Sequence, residues 1–401
     1  MQKLRPGTSF FALCLALLFH FAPAHAQDIL IAPGEPLVIG VSVGLSGEGI
    51  APLGSDILRG IEIAQTNQPS VTIDDVVWEI TLDPQDSQCN AEGGVAVATR
   101  FTSDPQIIAV IGPMCSSGCF PAAPIYDAAG YATISPTCSA SALTRSGFTS
   151  FNRTASPDYL QGRNGARFVY EELGIRAVAT IHDGSPYSEG LVAVFTEHFT
   201  ALGGSVVAAD AITVGDTLFQ SLLNDIADAE PALLYFTGFP AEGARLIQQR
   251  YDAGLEEILF LGAHALFNTE VIELAGEEAE GIYATAPVSS SSSEAQAAAL
   301  ATHIAQYEAT YGQPPITPFN ANSHDAYQML RATIAAVGQH DEEGNLRINR
   351  AEFAAYLRGY GPVEGLAGTI ACDGSGDCLL SSTGVFQVID GAFEKIGTVN
   401  P

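Results

Sequence analysis

Short runs of apolar, largely β-branched residues recur along the chain. They fall at Leu37–Val43, Val77–Asp83, Ile107–Gly112, Ala132–Ile134, Ala177–Asp183, Val206–Ile212, Ala232–Thr237, Ile258–Gly262 and Thr383–Asp390. Runs this short and this apolar read as buried strands of a parallel sheet. Between them apolar residues recur at helical spacing. The helices expected are Ser55–Thr66, Asn90–Thr102, Cys115–Ala129, Tyr159–Leu173, Tyr187–Ala201, Phe219–Ala229, Ala241–Ala253, Ser293–Tyr311, Ser323–Val337 and Arg350–Gly359. In the first of these, Ile57, Leu58, Ile61 and Ile63 form most of an apolar face. The alternation predicts an α/β fold with doubly wound parallel sheets, and its length predicts two of them. Gln27–Pro36 reads as an extended leader, and the serine run Ser289–Ser293 as a loop or helix lead-in.

One stretch, Val110–Thr144, organises the rest. Ile107–Gly112 is a buried strand, and Cys115-Ser116-Ser117-Gly118 opens a helix with small residues. A helix start leaves backbone N–H groups free, with the positive end of the helix dipole behind them. Ser135-Pro136-Thr137-Cys138-Ser139 is a second small polar turn, after the next strand. Loops at the carboxyl ends of neighbouring parallel strands line the ligand crevice of an open sheet. These two turns are therefore placed to grip a small carboxylate. The plainer reading makes Ser116, Ser117 and Ser139 ordinary helix caps.

Composition changes the picture in three ways. Lys3 and Arg5, the apolar run Phe10–Phe21 and Ala24-His25-Ala26 form a cleavable export signal over residues 1–26. The run is too short to span a membrane, and no later segment is long and apolar enough. Cys14 follows Leu13, which does not suit lipid attachment. The formal charge is −29, and Lys395 is the sole lysine past the leader. A chain this acidic is a poor partner for nucleic acid or an anionic membrane surface. Its spread of charge suits solubility and does not imply a cationic ligand. Of seven cysteines, six remain past the leader. An even number in an exported chain points to disulfides, with 15 possible pairings. Cys372 and Cys378 can staple their own loop.

Tests for chemistry fail. Gly44-Leu45-Ser46-Gly47-Glu48 misses the nucleophile elbow at its last position, and the glycines of Gly44–Gly49 lack the Gly-Lys-Ser/Thr of a phosphate loop. No H-e-x-x-H zinc pattern occurs. Asp341–Glu352 echoes a calcium loop, but Leu346 stands where glycine is needed. Asn152-Arg153-Thr154 is a glycosylation triplet by pattern. No cofactor, metal or catalytic constellation is expected.

The motifs taken together resemble a known family. IGVSVGLSGEG…LRGIEIA, DSQCNAEGGVAVA, VIGPMCSS, ISPTCSASALT, IHDGSPYSEGL, ALLYFTGFPAEGA and LAGEEAEGIY occur in order and span almost all of Leu37–Pro401. They are similar to the leucine/isoleucine/valine-binding group of type I periplasmic binding proteins, the solute receptors of amino-acid-type ABC importers. The resemblance implies two α/β lobes joined by three crossing segments, closing on a solute in the cleft. Lobe 1 would comprise residues 27–154 with 287–360, and lobe 2 residues 155–286 with 361–401. It also implies a Cys89–Cys115 disulfide. With Cys372–Cys378 paired, Cys119 and Cys138 are left over, and their pairing stays open.

The resemblance assigns ligand positions residue by residue. Ser116 would hold the ligand carboxylate by hydroxyl and N–H. Thr137 would offer main-chain groups, and Ser139 a hydroxyl shared by carboxylate and ammonium. Tyr187 and Phe239 would cover the ligand from the opposing lobe, and Leu53 is a weaker candidate for side-chain specificity. The family's ammonium-binding acid falls on His264, a neutral acceptor at best and repulsive when protonated. The ligand is then either an amino acid whose ammonium rests on Thr137 and Ser139, or an acid without an α-ammonium. A third reading points His264 away from the cleft. The implied protein is a monomeric periplasmic receptor that hands its ligand to an inner-membrane ABC permease. A sensor for a membrane signalling partner and an exported hydrolase are the rivals.

Overall fold

The computed structural model describes residues 28–288 and 293–399. The expected export signal and most of the serine run lie outside the described residues. The chain opens a first sheet with β1 (Leu37–Val43), then α1 (Ala51–Asn67), β2 (Ser70–Ile73), β3 (Val76–Asp86) and α2 (Ala91–Thr102). It continues through β4 (Ile107–Ile111), α3 (Ser116–Ala129), β5 (Thr133–Ser135) and β6 (Phe151–Arg153). The strand order is β2-β3-β1-β4-β5-β6. All five residues of β4 are buried, as covering on both faces requires.

The second sheet begins after α4 (Asp158–Arg167), which runs on into a π-helical turn at Phe168–Glu172. It comprises β7 (Ala177–His182), α5 (Pro186–Ala201), β8 (Ser205–Ala211), α6 (Gln220–Asp228), β9 (Leu233–Thr237), α7 (Pro240–Asp252), β10 (Leu259–Gly262) and β11 (Tyr283–Val288). The chain then returns to the first unit as α8 (Glu294–Tyr311), α9 (Phe319–Val337) and α10 (Arg350–Arg358). It ends in the second sheet with β12 (Ser382–Ile389) and β13 (Ala392–Val399), in the order β13-β12-β11-β10-β9-β7-β8.

Both sheets are parallel at their centres, as the pattern predicts, and antiparallel at one edge. β2 pairs antiparallel with β3, and β11, β12 and β13 pair antiparallel in turn. Tight turns set two of these pairs, β2 with β3 and β12 with β13, while β12 meets β11 only after the chain has returned from the first unit. Asp74-Asp75 (φ 46° and 67°) and Asp390-Gly391 (φ 51° and 76°) both have positive φ, which returns a strand beside its predecessor. The expected leader also pairs: Ile29–Ile31 lies antiparallel to Leu346–Ile348.

The lobe boundaries differ from those expected. β11 keeps residues up to Val288 in the second sheet. Residues 361–381 pack on the first unit: Leu366, Ala367, Ile370, Cys378 and Leu379 share a core with Leu37, Ile39 and Val41. The cause is main-chain pairing. Arg153 N–H donates to the Gly376 carbonyl (2.8 Å), and Cys378 N–H donates to the Arg153 carbonyl (3.0 Å). The last return to the second lobe is therefore at Ser382. The chain crosses between lobes at 154–157, after Val288 and before Ser382.

Three disulfides brace the first unit: Cys89–Cys115, Cys119–Cys138 and Cys372–Cys378. Two of them converge on the start of α3. A Cβ on Gly94 would meet Gly118 Cα at 2.6 Å, so α2 and α3 meet backbone to backbone there. The glycosylation triplet is interior, with Asn152, Arg153 and Thr154 each fully buried. Asp341 caps its own turn, accepting from Glu343 N (3.0 Å), Asn345 N (2.8 Å) and Asn345 Nδ2 (2.8 Å).

Arg153 joins these parts. Its Nε pairs with Asp377 Oδ1 at 2.6 Å. One terminal nitrogen donates to the Cys138 and Ala140 carbonyls (3.2 and 2.9 Å), the other to Thr144 Oγ1 (3.0 Å). Removing one partner of a buried ion pair strands the other, at a cost of about 3–5 kcal/mol. Asp377→Ala is expected to lose about that much in urea denaturation; a loss within ~0.5 kcal/mol, as for a surface site, would contradict this role.

Candidate functional site

Five strands end at one cavity. α3 starts after β4, and the Ser135–Ser139 turn follows β5. Tyr187 is in the first turn of α5 after β7, Phe239 precedes α7 after β9, and His264 follows β10. This is where the carboxyl ends of parallel strands place ligand loops. Ser116, Thr137, Ser139, Tyr187, Phe239, His264 and Leu53 all line the cavity, with Ile57, Met114, Cys115, Ala265, Thr317 and Phe319. Its volume is about 60 Å³, room for a handful of atoms at roughly 10–15 Å³ per water-sized group. A wider interlobe groove of about 690 Å³ shares only Thr317 with it and holds none of the expected ligand residues.

One end is polar. Cys115 is extended (φ −103°, ψ 140°) and makes no side-chain cap. Gly118 and Cys119 N–H groups both bond the Cys115 carbonyl at 2.9 Å. The first N–H groups of α3, at Ser116 and Ser117, precede that ladder, and such groups at a helix start are suited to an anion. Ser117 does behave as a bracing residue, donating to the Cys89 carbonyl at 2.6 Å. Ser116 faces the cavity, and its Oγ receives the Ala140 N–H at 3.4 Å. Thr137 Oγ1 donates to the Met114 carbonyl (2.5 Å), so main chain is what Thr137 offers the cavity. Ser139 Oγ is buried without a hydrogen-bond partner.

The other walls are aromatic and aliphatic. Tyr187 lies 4.8 Å from His264 and 6.0 Å from Phe239 between ring centroids, and Phe319 meets His264 edge-on at 5.1 Å. His264 thus points into the cleft. Gln161 fixes its ring. Gln161 Nε2 donates to Thr285 O (2.9 Å) and reaches Thr285 Oγ1 (2.8 Å), which turns Oε1 toward His264 Nδ1 at 2.5 Å. Nδ1 then carries the proton and Nε2 is left as an acceptor. Burial pushes the imidazole pKa down to about 3, so the ring is neutral near pH 7 and does not repel a cation.

Asp158, the first residue of α4, was not singled out from sequence. An acid in the first turn of a helix is ordinary there, and only the structure shows it to be buried. Burial pushes its carboxyl up to about 7, against the opposing pull of Ser139 and Arg153. Phe319 is not marked by sequence, because α9 reaches the cavity only after the chain has crossed lobes twice; Ile57, one turn past Leu53 on α1, reads from sequence only as part of that helix's apolar face. Across the cleft, Arg245 bonds Glu48 at 3.0 Å, an exposed pair worth at most about 1 kcal/mol.

The comparisons fit this geometry. The family model described as "Periplasmic binding protein" matches residues 36–392. The Leu/Ile/Val/Thr-binding protein of Salmonella typhimurium is 30% identical over 384 residues, covering 95% of this chain and 96% of that one. The Leu/Ile/Val-binding protein of Citrobacter freundii is 28% identical over 392 residues, covering 95% and 96%. Among solved structures, a leucine-binding protein of Thermotoga maritima superposes with a TM-score of 0.81 at 26% identity, covering 91% of this chain and 99% of that one. A solute-binding protein of R. palustris in complex with benzoate shares the fold, with a TM-score of 0.77 at 24% identity and coverage of 92% and 97%. Two α/β lobes, strand ends converging on an interlobe cavity and a match over nearly the whole described chain place this protein in the leucine/isoleucine/valine-binding family of type I periplasmic binding proteins, which bind solutes and are not enzymes.

Proposed function

We propose that this protein is the periplasmic receptor of an ABC importer, and that it binds a small carboxylate-bearing metabolite between its lobes. The observation that carries the reading is the two-sided cavity. Lobe 1 supplies the start of α3, Ser116, Ser139 and the Thr137 main chain, a set that suits a carboxylate. Lobe 2 supplies Tyr187, Phe239 and His264, an apolar cover. Neither half is a site alone, so occupancy favours the closed form, and closure is what a permease can read. The relatives named for leucine, isoleucine and valine support an amino acid or a related acid. The benzoate-bound neighbour shows that the fold also accommodates an acid without an ammonium. Export directed by the expected signal over residues 1–26 would deliver the receptor to the periplasm.

The site assignment is open to a direct test. Ser116→Ala is expected to weaken binding about 10- to 100-fold, the worth of about 1.5–3 kcal/mol for a hydrogen bond to a charged group, and Tyr187→Ala by a similar factor through loss of apolar cover, about 1.5–3 kcal/mol for a large buried side chain. Without ligand the midpoint of Ser116→Ala should stay near wild type, whereas Tyr187→Ala, which takes a ring out of the lobe 2 core, should lower it while the protein still folds. Calorimetric titration with the metabolite that most raises the midpoint checks this; unchanged affinity in both variants would remove these residues from the site. A second test concerns His264. A folded-state pKa of about 3 lies below the usual value near 6.5. Its contribution to stability is then complete above pH ~6.5 and is lost as pH falls toward the folded value. Nitrogen chemical shifts should report one neutral, Nδ1-protonated ring from pH 8 down to pH 5. A ring that charges near pH 6 would contradict the burial argument.

A further inference from the structure

The wider groove runs between the lobes beside their crossings, with Val288, Asn322 and Ser381 in its lining. Leu300, Ile304 and Ile316 form its wall on lobe 1, and Phe267, Phe386 and Phe393 its wall on lobe 2. The three rings pack on one another, Phe267 lying 4.0 Å from Phe386 and 5.1 Å from Phe393 between centroids. The volume of about 690 Å³ falls within the roughly 300–1,000 Å³ typical of small-molecule sites. Thr317 is the one described residue that lines both the groove and the cavity. Asp56 fixes it there, with Oδ2 accepting from Thr317 N (3.2 Å) and Oγ1 (2.8 Å).

No lysine, arginine, aspartate or glutamate is among the described lining residues, although such residues make up 15% of the chain. His303 is the one titratable group in the lining, and burial holds its imidazole below the ordinary value. A charge entering the groove would be desolvated with no opposite charge to meet it, so the groove suits a neutral molecule. Its polar groups are acceptors. Asn320 Nδ2 donates to the Asp56 carbonyl at 2.6 Å, which turns its Oδ1 toward His303 Nε2. Nε2 then carries the proton, and Nδ1 is an acceptor without a partner among the described residues. Asn322 Nδ2 donates to the Thr154 carbonyl at 2.5 Å and leaves its Oδ1 in the same state. His303 and Asn322 are 5% and 4% exposed. Neither of these two acceptor atoms is sealed from solvent, in contrast to Asn268 Nδ2. The Ser381 hydroxyl can accept as well as donate.

We propose that this groove is a second binding site, separate from the cavity, for a neutral aromatic molecule that carries a hydroxyl or N–H donor. The apolar walls of both lobes bury its rings, and the phenylalanine cluster offers them stacking or edge-on partners. Its donor satisfies His303 Nδ1 or Asn322 Oδ1, which fixes its orientation. The site does not depend on which ligand the cavity takes, because no side chain assigned to the carboxylate lines the groove.

The test is a titration of the whole mature protein with 2-naphthol at pH 7, read by nuclear magnetic resonance of its leucine and isoleucine methyls. Two controls keep the rings and change the substituent: 2-methoxynaphthalene has no donor, and 2-naphthoate is an anion. Expected is saturable binding of 2-naphthol with a Kd below ~1 mM. The Leu300, Ile304 and Ile316 methyls should shift more than those of Leu53 and Ile57, which line only the cavity. 2-Methoxynaphthalene should bind about 3- to 10-fold more weakly, for the loss of one hydrogen bond, and 2-naphthoate should leave the groove methyls unmoved. Ile304→Asp and Phe393→Asp put a charge on either wall at half-buried positions, and each should weaken 2-naphthol more than about 10-fold. The proposal is overturned by absence of saturable binding, by larger shifts at Leu53 and Ile57, by equal binding of 2-methoxynaphthalene, or by equal groove shifts from 2-naphthoate. Unchanged affinity in both folded variants overturns it as well. The methyl shifts are read on the wild type, so the test survives a variant that does not fold.

Discussion

A buried guanidinium holds the ligand turn in place. Arg153 ends β6 on the last strand of the first sheet, fully inside the protein. Through Asp377 it captures residues 361–381, and through the Cys138 and Ala140 carbonyls it positions the turn that carries Ser139. Arginine suits the task because its planar fork offers five donors at once. The stretch between β5 and β6 has little regular structure of its own, with one short helix at Ala142–Arg145. Its main-chain acceptors need partners from elsewhere, and Arg153 supplies them.

The disulfides extend that constraint to the other ligand turn. Cys89–Cys115 fixes the residue before Ser116, and Cys119–Cys138 ties the first turn of α3 to the residue before Ser139. The half of the cleft proposed to hold the carboxylate is therefore preorganised on one lobe, and preorganisation lowers the entropy cost of binding. The opposing half is different. Tyr187, Phe239 and His264 ride on the second lobe, and under the proposed function they meet the ligand when the lobes close. Rigidity on one side and closure on the other are what a receptor needs if occupancy is to change its shape.

The electrostatics of the cleft come from burial more than from pairing. His264 is kept neutral because its ring is enclosed by Tyr187, Phe319 and Gln161. Asp158 titrates near neutrality because its carboxylate is enclosed without a bonded partner. The overall charge of −29 has little part in this. It lies mostly on the surface, where solvent and salt screen it.

Local sequence determined the alternation of strands and helices, because hydrophobic period and small turn residues act over a few positions. It determined the two small polar turns after β4 and β5 for the same reason, and the motifs around Cys89 and Cys115 carried the resemblance to a family. The Asp390-Gly391 turn was also legible, since a D-G pair before a second β-patterned run signals a hairpin, although β13 was not read from it. Other features depend on contacts between residues far apart. The partner of Cys119 depends on how β5 lies beside β4, and no spacing rule contains that. The lobe to which residues 361–381 belong depends on main-chain pairing with β6, more than 200 residues earlier by sequence. Asp158 and His264 look like ordinary polar residues until the fold removes their water. Their protonation, and with it the character of the site, is a property of the enclosed volume, which only the tertiary structure creates.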